Sequence, residues 1–139
     1  MKTLVTLKQN LLKSALVIFV SALSIVSNAS TSPAGTTPEK ATAFTAEVNN
    51  NNTKKVDLKW STETENNLSH FIVERSTDGV NFSNAALVFA YGNTTAKADY
   101  VFADNISKVQ SAVVYYRVSS IGADGANQYS DIRIIKTGK

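Results

Sequence analysis

Cysteine is absent from this chain. Its absence removes disulfide staples, thiolate metal ligands, thiol redox chemistry and a lipidated amino terminus. A domain without staples must rest on a hydrophobic core, and the ~110 residues that follow the leader are enough to build one. Histidine is nearly absent as well. His70 stands alone, so a histidine metal site or a Ser/His pair has no second imidazole to draw on. Both prolines, Pro33 and Pro38, fall in one short stretch near the start. No apolar run reaches the ~20 residues that a membrane span needs.

An excess of one charge is also missing once the leader is set aside. "MKTLVTLKQNLLKSALVIFVSALSIVSNAS" carries Lys2, Lys8 and Lys13, then an apolar run from Ala15 to Val26, then Ser27-Asn28-Ala29. A basic start, an apolar middle and a small-residue end predict a helical signal peptide over residues 1–29, cleaved after Ala29. No stable membrane insertion is expected after cleavage. Three of the 14 basic residues lie in this leader and none of the 11 acidic ones does. The remainder therefore carries no net charge, and the basic pI belongs to the targeting segment. A nucleic-acid partner, which would need a basic stripe on the mature domain, is not expected.

Beyond the leader, "STSPAGTTPEK", residues 30–40, reads as a flexible lead-in. Residues 41–137 then alternate between short apolar runs and clusters of Asn, Asp, Gly and Ser, the pattern of an all-β sandwich or barrel. "VDLKWST" is the clearest strand, with Val56, Leu58 and Trp60 on one face and Asp57, Lys59 and Ser61 on the other. "ATAFTAEV" alternates through Phe44, Ala46 and Val48. "HFIVERS" turns Phe71 and Val73 inward, with Arg75 on the same row at the strand end, its head reaching water. Glu74 and Arg75 point to opposite faces and cannot form one paired site. Asp78-Gly79 predicts a hairpin whose Gly takes a positive φ. "FSNAALVFAYGN" is the returning strand, too continuously apolar for a register to be assigned, with a bulge expected. "DYVFAD" alternates through Tyr100 and Phe102, and "AVVYYRVSSI" through Val114, Tyr116 and Val118. After a second Asp-Gly turn, "YSDIRIIK" is the last strand, with Ile132 and Ile134 expected inward. The sum is seven strands and a core that includes Trp60, Phe71, Val73, Phe102, Tyr116 and Val118, with Trp60 packed against Phe71 and Tyr116.

Several of these residues occur together in a known pattern. Val56-x-Leu58-x-Trp60 is followed by Glu65-Asn66-Asn67, then Phe71-x-Val73-Glu74-Arg75-Ser76, Asp78-Gly79 and Phe82. Gly92-Asn93, Tyr100-x-Phe102-x-Asp104, Tyr115-Tyr116-Arg117, Asp124-Gly125 and Tyr129-Ser130 complete it. In this order and spacing the chain resembles the fibronectin type III-like domain of secreted Bacteroidetes proteins, over nearly all of residues 41–137. The resemblance implies a seven-stranded immunoglobulin/fibronectin type III-like antiparallel sandwich and a non-catalytic module. Such modules often precede a carboxy-terminal sorting domain of the type IX secretion route. Here the sequence ends at "IRIIKTGK", directly after the last strand, with no sorting signal following, so the expected address is periplasmic or secreted, with type IX export not assumed.

Candidate chemistry is sparse. His70, at the start of a strand, is expected to face solvent. Glu63, Glu65 and Glu74 offer carboxylates for glycoside hydrolysis, but Glu63 and Glu65 fall in a polar loop and are expected to be solvated. Asp78-Gly79, Asp124-Gly125 and Asp104-Asn105 offer oxygens for calcium, yet turn chemistry accounts for the Asp-Gly pairs. Sequons such as those at Asn81 and Asn93 carry little meaning in a bacterial route. Tyr91, Tyr100, Tyr115 and Tyr129 are the aromatics available for a sugar platform, with Tyr115 the best placed outside. No catalytic residue, cofactor or metal ligand is assigned. The expected interaction surface is Tyr115 with Glu65, Asn66 and Asn67. The expected function is an exported interaction or structural module, with a protein or a surface glycan as partner and carbohydrate binding as the alternative.

Overall fold

A computed structural model describes residues 37–138. The expected signal peptide, the expected cleavage after Ala29 and residues 30–36 of the lead-in lie outside the described residues. Eight strands run in order: β1 Thr42–Val48, β2 Lys55–Thr62, β3 Leu68–Ser76, β4 Ser83–Phe89, β5 Ala98–Asn105, β6 Val113–Gly122, β7 Asn127–Tyr129 and β8 Arg133–Lys136. One sheet has the order β1-β2-β5; the other has β4-β3-β6-β7, with β8 also on β6. Every pairing is antiparallel. The chain crosses between the sheets after β2, β4 and β5, and the two sheets pack face to face as a β-sandwich.

The period-two pattern accounts for the core. Val56, Leu58 and Trp60 of β2 are buried, as are Phe71 and Val73 of β3 and Val114, Tyr116 and Val118 of β6. Phe102 is half-buried and packs against the same cluster. Trp60 meets Phe71 edge-on across the sandwich at 5.5 Å and stacks on its register partner Tyr100 at 5.6 Å. Tyr100, rather than Tyr116, is thus its second ring partner. Tyr116 pairs with Arg75 in the ladder, four residues along β3 from Phe71, a displacement of roughly 13 Å at strand rise.

The last strand departs from the sequence reading. "YSDIRIIK" is two short strands, β7 and β8, separated at residues 130–132. Ser130 makes the break: its amide donates to the Val118 carbonyl, and its Oγ accepts from the Val118 amide at 2.9 Å. A side chain thereby replaces a ladder carbonyl, and the chain re-enters the sheet out of phase. A slip of this kind exchanges the two faces. Ile135 is consequently the buried residue, whereas Ile132 and Ile134, expected inward, are 43% and 63% exposed. Among the described residues, eight strands, not seven, result.

Both Asp-Gly turns are present, with Gly79 at φ 77° and Gly125 at φ 82°. The expected bulge in the fourth strand is at Ala85, where the β3–β4 register shifts between Val73 and Glu74. Within the lead-in, Pro38 is fully buried, and just after it the Ala41 amide donates to Ser120 Oγ.

Candidate functional site

Four polar clusters bring candidate side chains together. The first is centred on Glu65, which is 2% exposed rather than solvated in a loop. Its backbone bridges to Thr94, which draws the β2–β3 loop against the β4–β5 crossover. Its carboxylate then accepts from Thr62 Oγ1 and from Tyr100 Oη through one oxygen, and from the Gly92 amide through the other. Tyr100 Oη in turn accepts from the Tyr91 amide at 3.1 Å. Burial, then the bond to Glu65, pushes the Tyr100 phenol well above its ordinary range, so it remains a donor. This cluster joins two loops by satisfied hydrogen bonds. Glu65 is therefore removed from the expected interaction surface.

The second cluster joins the sheets. Asp104 of β5 accepts from Arg75 Nη1 of β3 and from Tyr116 Oη of β6, each at 2.7 Å. Burial pulls the Arg75 pKa down, but the hydrogen bond and charge of Asp104 outweigh it and leave the guanidinium above its ordinary value. Burial and the same carboxylate raise the Tyr116 phenol. The head of Arg75, expected in water, is instead held by a buried acid.

A third cluster lies on the outer face of the five-stranded sheet. Arg117 Nε donates to Glu74, its ladder partner, and the guanidinium lies 4.1 Å from the ring centroids of both Phe82 and Tyr129. Stacked cations of this kind are held by the ring quadrupoles. The fourth is the β3–β4 turn. Asp78 accepts from the amides of Val80 and Asn81, from Asn81 Nδ2 and from Ser76 Oγ. The Asn81 side chain, then Ser76, then the two amides hold its carboxyl far below the usual range.

His70 is half-buried on the outer face, with Nδ1 3.0 Å from Ser69 Oγ. Among the described residues, no group of three or more His, Asp or Glu side chains is placed to hold a metal ion. Asn66 is exposed. Asn67 is half-buried at φ 56°, its amide donating to Asn93 Oδ1 and its carbonyl accepting from Ala123. Tyr115 is also half-buried: its ring covers Gly79 so closely that a Cβ there would sit 3.1 Å from Cε1. The residues expected to form one surface are thus not brought together.

One run of exposed apolar groups lies along the edge of the five-stranded sheet. Leu87, Phe89 and Tyr91 are 53%, 76% and 76% exposed, on and just after edge strand β4. Across the outer face, one row runs Phe89, His70, Ile121 and Asn127, and the next runs Leu87, Ile72, Ser119 and Tyr129. Tyr91 also overhangs Tyr100, with centroids 5.3 Å apart, beside an open groove of about 420 Å³ formed with Thr94, Lys97 and Asp99. Sequence reasoning missed Leu87 and Phe89. Their signal was the lack of any charge between Asp78 and Lys97. Comparison with family models, curated proteins and solved structures finds no match.

Proposed function

We propose that this chain is an exported, non-catalytic interaction module of fibronectin type III-like type, acting in the periplasm or outside the cell. The observation that carries the reading is the contrast between its polar and apolar groups. Glu65, Glu74 and Asp104 are each engaged by donors of the fold itself. Leu87, Phe89 and Tyr91 stand in solvent along an uncharged sheet edge. An exposed patch of this kind marks an interaction site more often than a reaction site.

Strand order supports the fibronectin type III assignment. In the immunoglobulin constant arrangement the fourth strand lies beside the fifth; here it lies beside the third. Tyr116 also resembles the corner tyrosine of such sandwiches, which bonds back across the turn before its strand. In this chain the acceptor is the Asp104 carboxylate instead of a backbone carbonyl.

A second reading, carbohydrate binding, is favoured by Tyr91 alone: an exposed ring beside Thr94, Lys97 and Asp99. The test is a screen of the purified chain against esters, glycosides, peptides and phosphate esters, and against insoluble polysaccharides. No turnover is expected. Turnover that survives repurification and disappears in His70→Ala or Glu63→Gln would overturn the module reading. Retention on a glycan, lost in Tyr91→Ala, would put carbohydrate binding first.

A further inference from the structure

We propose that two copies of this chain associate through β4, antiparallel across a two-fold axis at Val88, so that their five-stranded sheets become continuous. The proposal rests on the interaction-module reading and names the partner as a second copy.

Backbone parity supplies the first ground. The Ala90 amide donates to the Ser69 carbonyl at 3.1 Å. In an antiparallel ladder, hydrogen-bonded and non-hydrogen-bonded pairs alternate. Ser69–Ala90 and Phe71–Val88 are then the bonded pairs, and the amides and carbonyls of Leu87 and Phe89 point away from β3, off the edge of the sheet. Such a row is a template for another strand. The Tyr91 amide is already taken by Tyr100, which ends the template at Phe89.

Protection is the second ground. Sheet edges are ordinarily blunted by charge, proline or cover. The β1 edge is covered where Arg133 Nε donates to the Phe44 carbonyl at 2.7 Å. β8 carries Arg133 and Lys136, and the start of β5 is guarded by the Lys97–Asp99 pair. β4 has only the bulge at Ala85, which leaves residues 86–90 regular.

Self-complementarity identifies the occupant. A two-fold lays a strand against its own sequence, and like charges placed directly opposite are destabilising. No charged residue lies in residues 79–96. An axis at Val88 sets Leu87 opposite Phe89 of the second copy and Phe89 opposite Leu87, both odd-numbered and so of matching hydrogen-bond parity. Both apolar pairs fall on the outer face and continue the Leu87–Ile72 and Phe89–His70 rows into the second sheet.

The test is sedimentation of the full-length chain, expressed with its own leader, over a range of concentrations. A concentration-dependent dimer is expected, and Leu87→Lys and Phe89→Lys, both at exposed positions, should each remain monomeric with an unchanged circular dichroism spectrum. The chain has no cysteine, so Leu87→Cys with a short bismaleimide provides a second measurement. It should cross-link in preference to Val101→Cys, which is 72% exposed on β5. A wild-type monomer without selective cross-linking overturns the self-pairing, as does a dimer that persists in either folded lysine variant or an assembly that grows beyond two copies. Turnover in the substrate screen is what overturns the module reading, so the two failures are separable.

Discussion

Removing the carboxylate of Glu65 would strand the Tyr100 and Thr62 hydroxyls and the Gly92 amide together. A buried donor left without an acceptor costs ~1–3 kcal/mol. Glu65→Ala is therefore expected to lower stability by ~3 kcal/mol or more, and Glu65→Gln, which keeps one carbonyl oxygen, by less. Urea melts of the two variants check this; equal losses would mean that shape rather than acceptor capacity matters there. Asp78 gives a pH signature. Its carboxyl is depressed in the folded protein by four donors, so the folded state binds this proton less readily than the unfolded chain does. The resulting stability is fully present above the ordinary Asp range and is lost as pH falls from about 4 toward the depressed value. Asp78→Asn should flatten the fall of melting temperature over that acid interval relative to wild type. An unchanged slope would assign the acid sensitivity to other groups.

The two hairpin glycines separate conformational from steric demands. Gly125 is at positive φ with open space where a Cβ would stand, whereas Gly79 is at positive φ beneath the Tyr115 ring. Asn tolerates the left-handed region and a β-branched residue does not. Gly125→Asn should therefore be mild and Gly125→Val clearly destabilising. Gly79→Asn should cost more than Gly125→Asn, because the ring must also move. Thermal melts of the three variants rank them, and equal effects of the two Asn substitutions would remove the ring contact from the explanation. Both turns were legible from Asp-Gly alone, because the required φ is a local property. The β7–β8 break was not, because it depends on Ser130 reaching the Val118 amide on another strand.

For the whole molecule, the sandwich places Trp60 at the centre of its packing, 2% exposed between Phe71 and Tyr100. Trp60→Ala is expected to cost ~3–5 kcal/mol, as truncation of a large buried aromatic does. A chemical melt followed by circular dichroism measures it, and a loss below about 1 kcal/mol would contradict the central packing. In the wild type, Trp60 is the only tryptophan. Its fluorescence and the sheet signal should therefore change in one coincident transition if the sheets unfold together.

Period-two alternation by itself determined that the described residues form strands and that Trp60, Phe71, Val73, Tyr116 and Val118 lie inside. Each of those statements concerns side chains two residues apart on one strand, and alternation is a local consequence of the pleat. What only the tertiary structure decided involves residues far apart in sequence. Glu65 looked like a loop carboxylate until Tyr100, Thr62 and Gly92 closed over it. Arg75 looked like a strand-end cation until Asp104 came across from the other sheet. Leu87 and Phe89 were two letters in an apolar run until pairing with β3 left β4 at an edge and turned them to solvent. Pairing between strands, and not the sequence of any one strand, determines which polar groups find partners and which apolar groups remain uncovered.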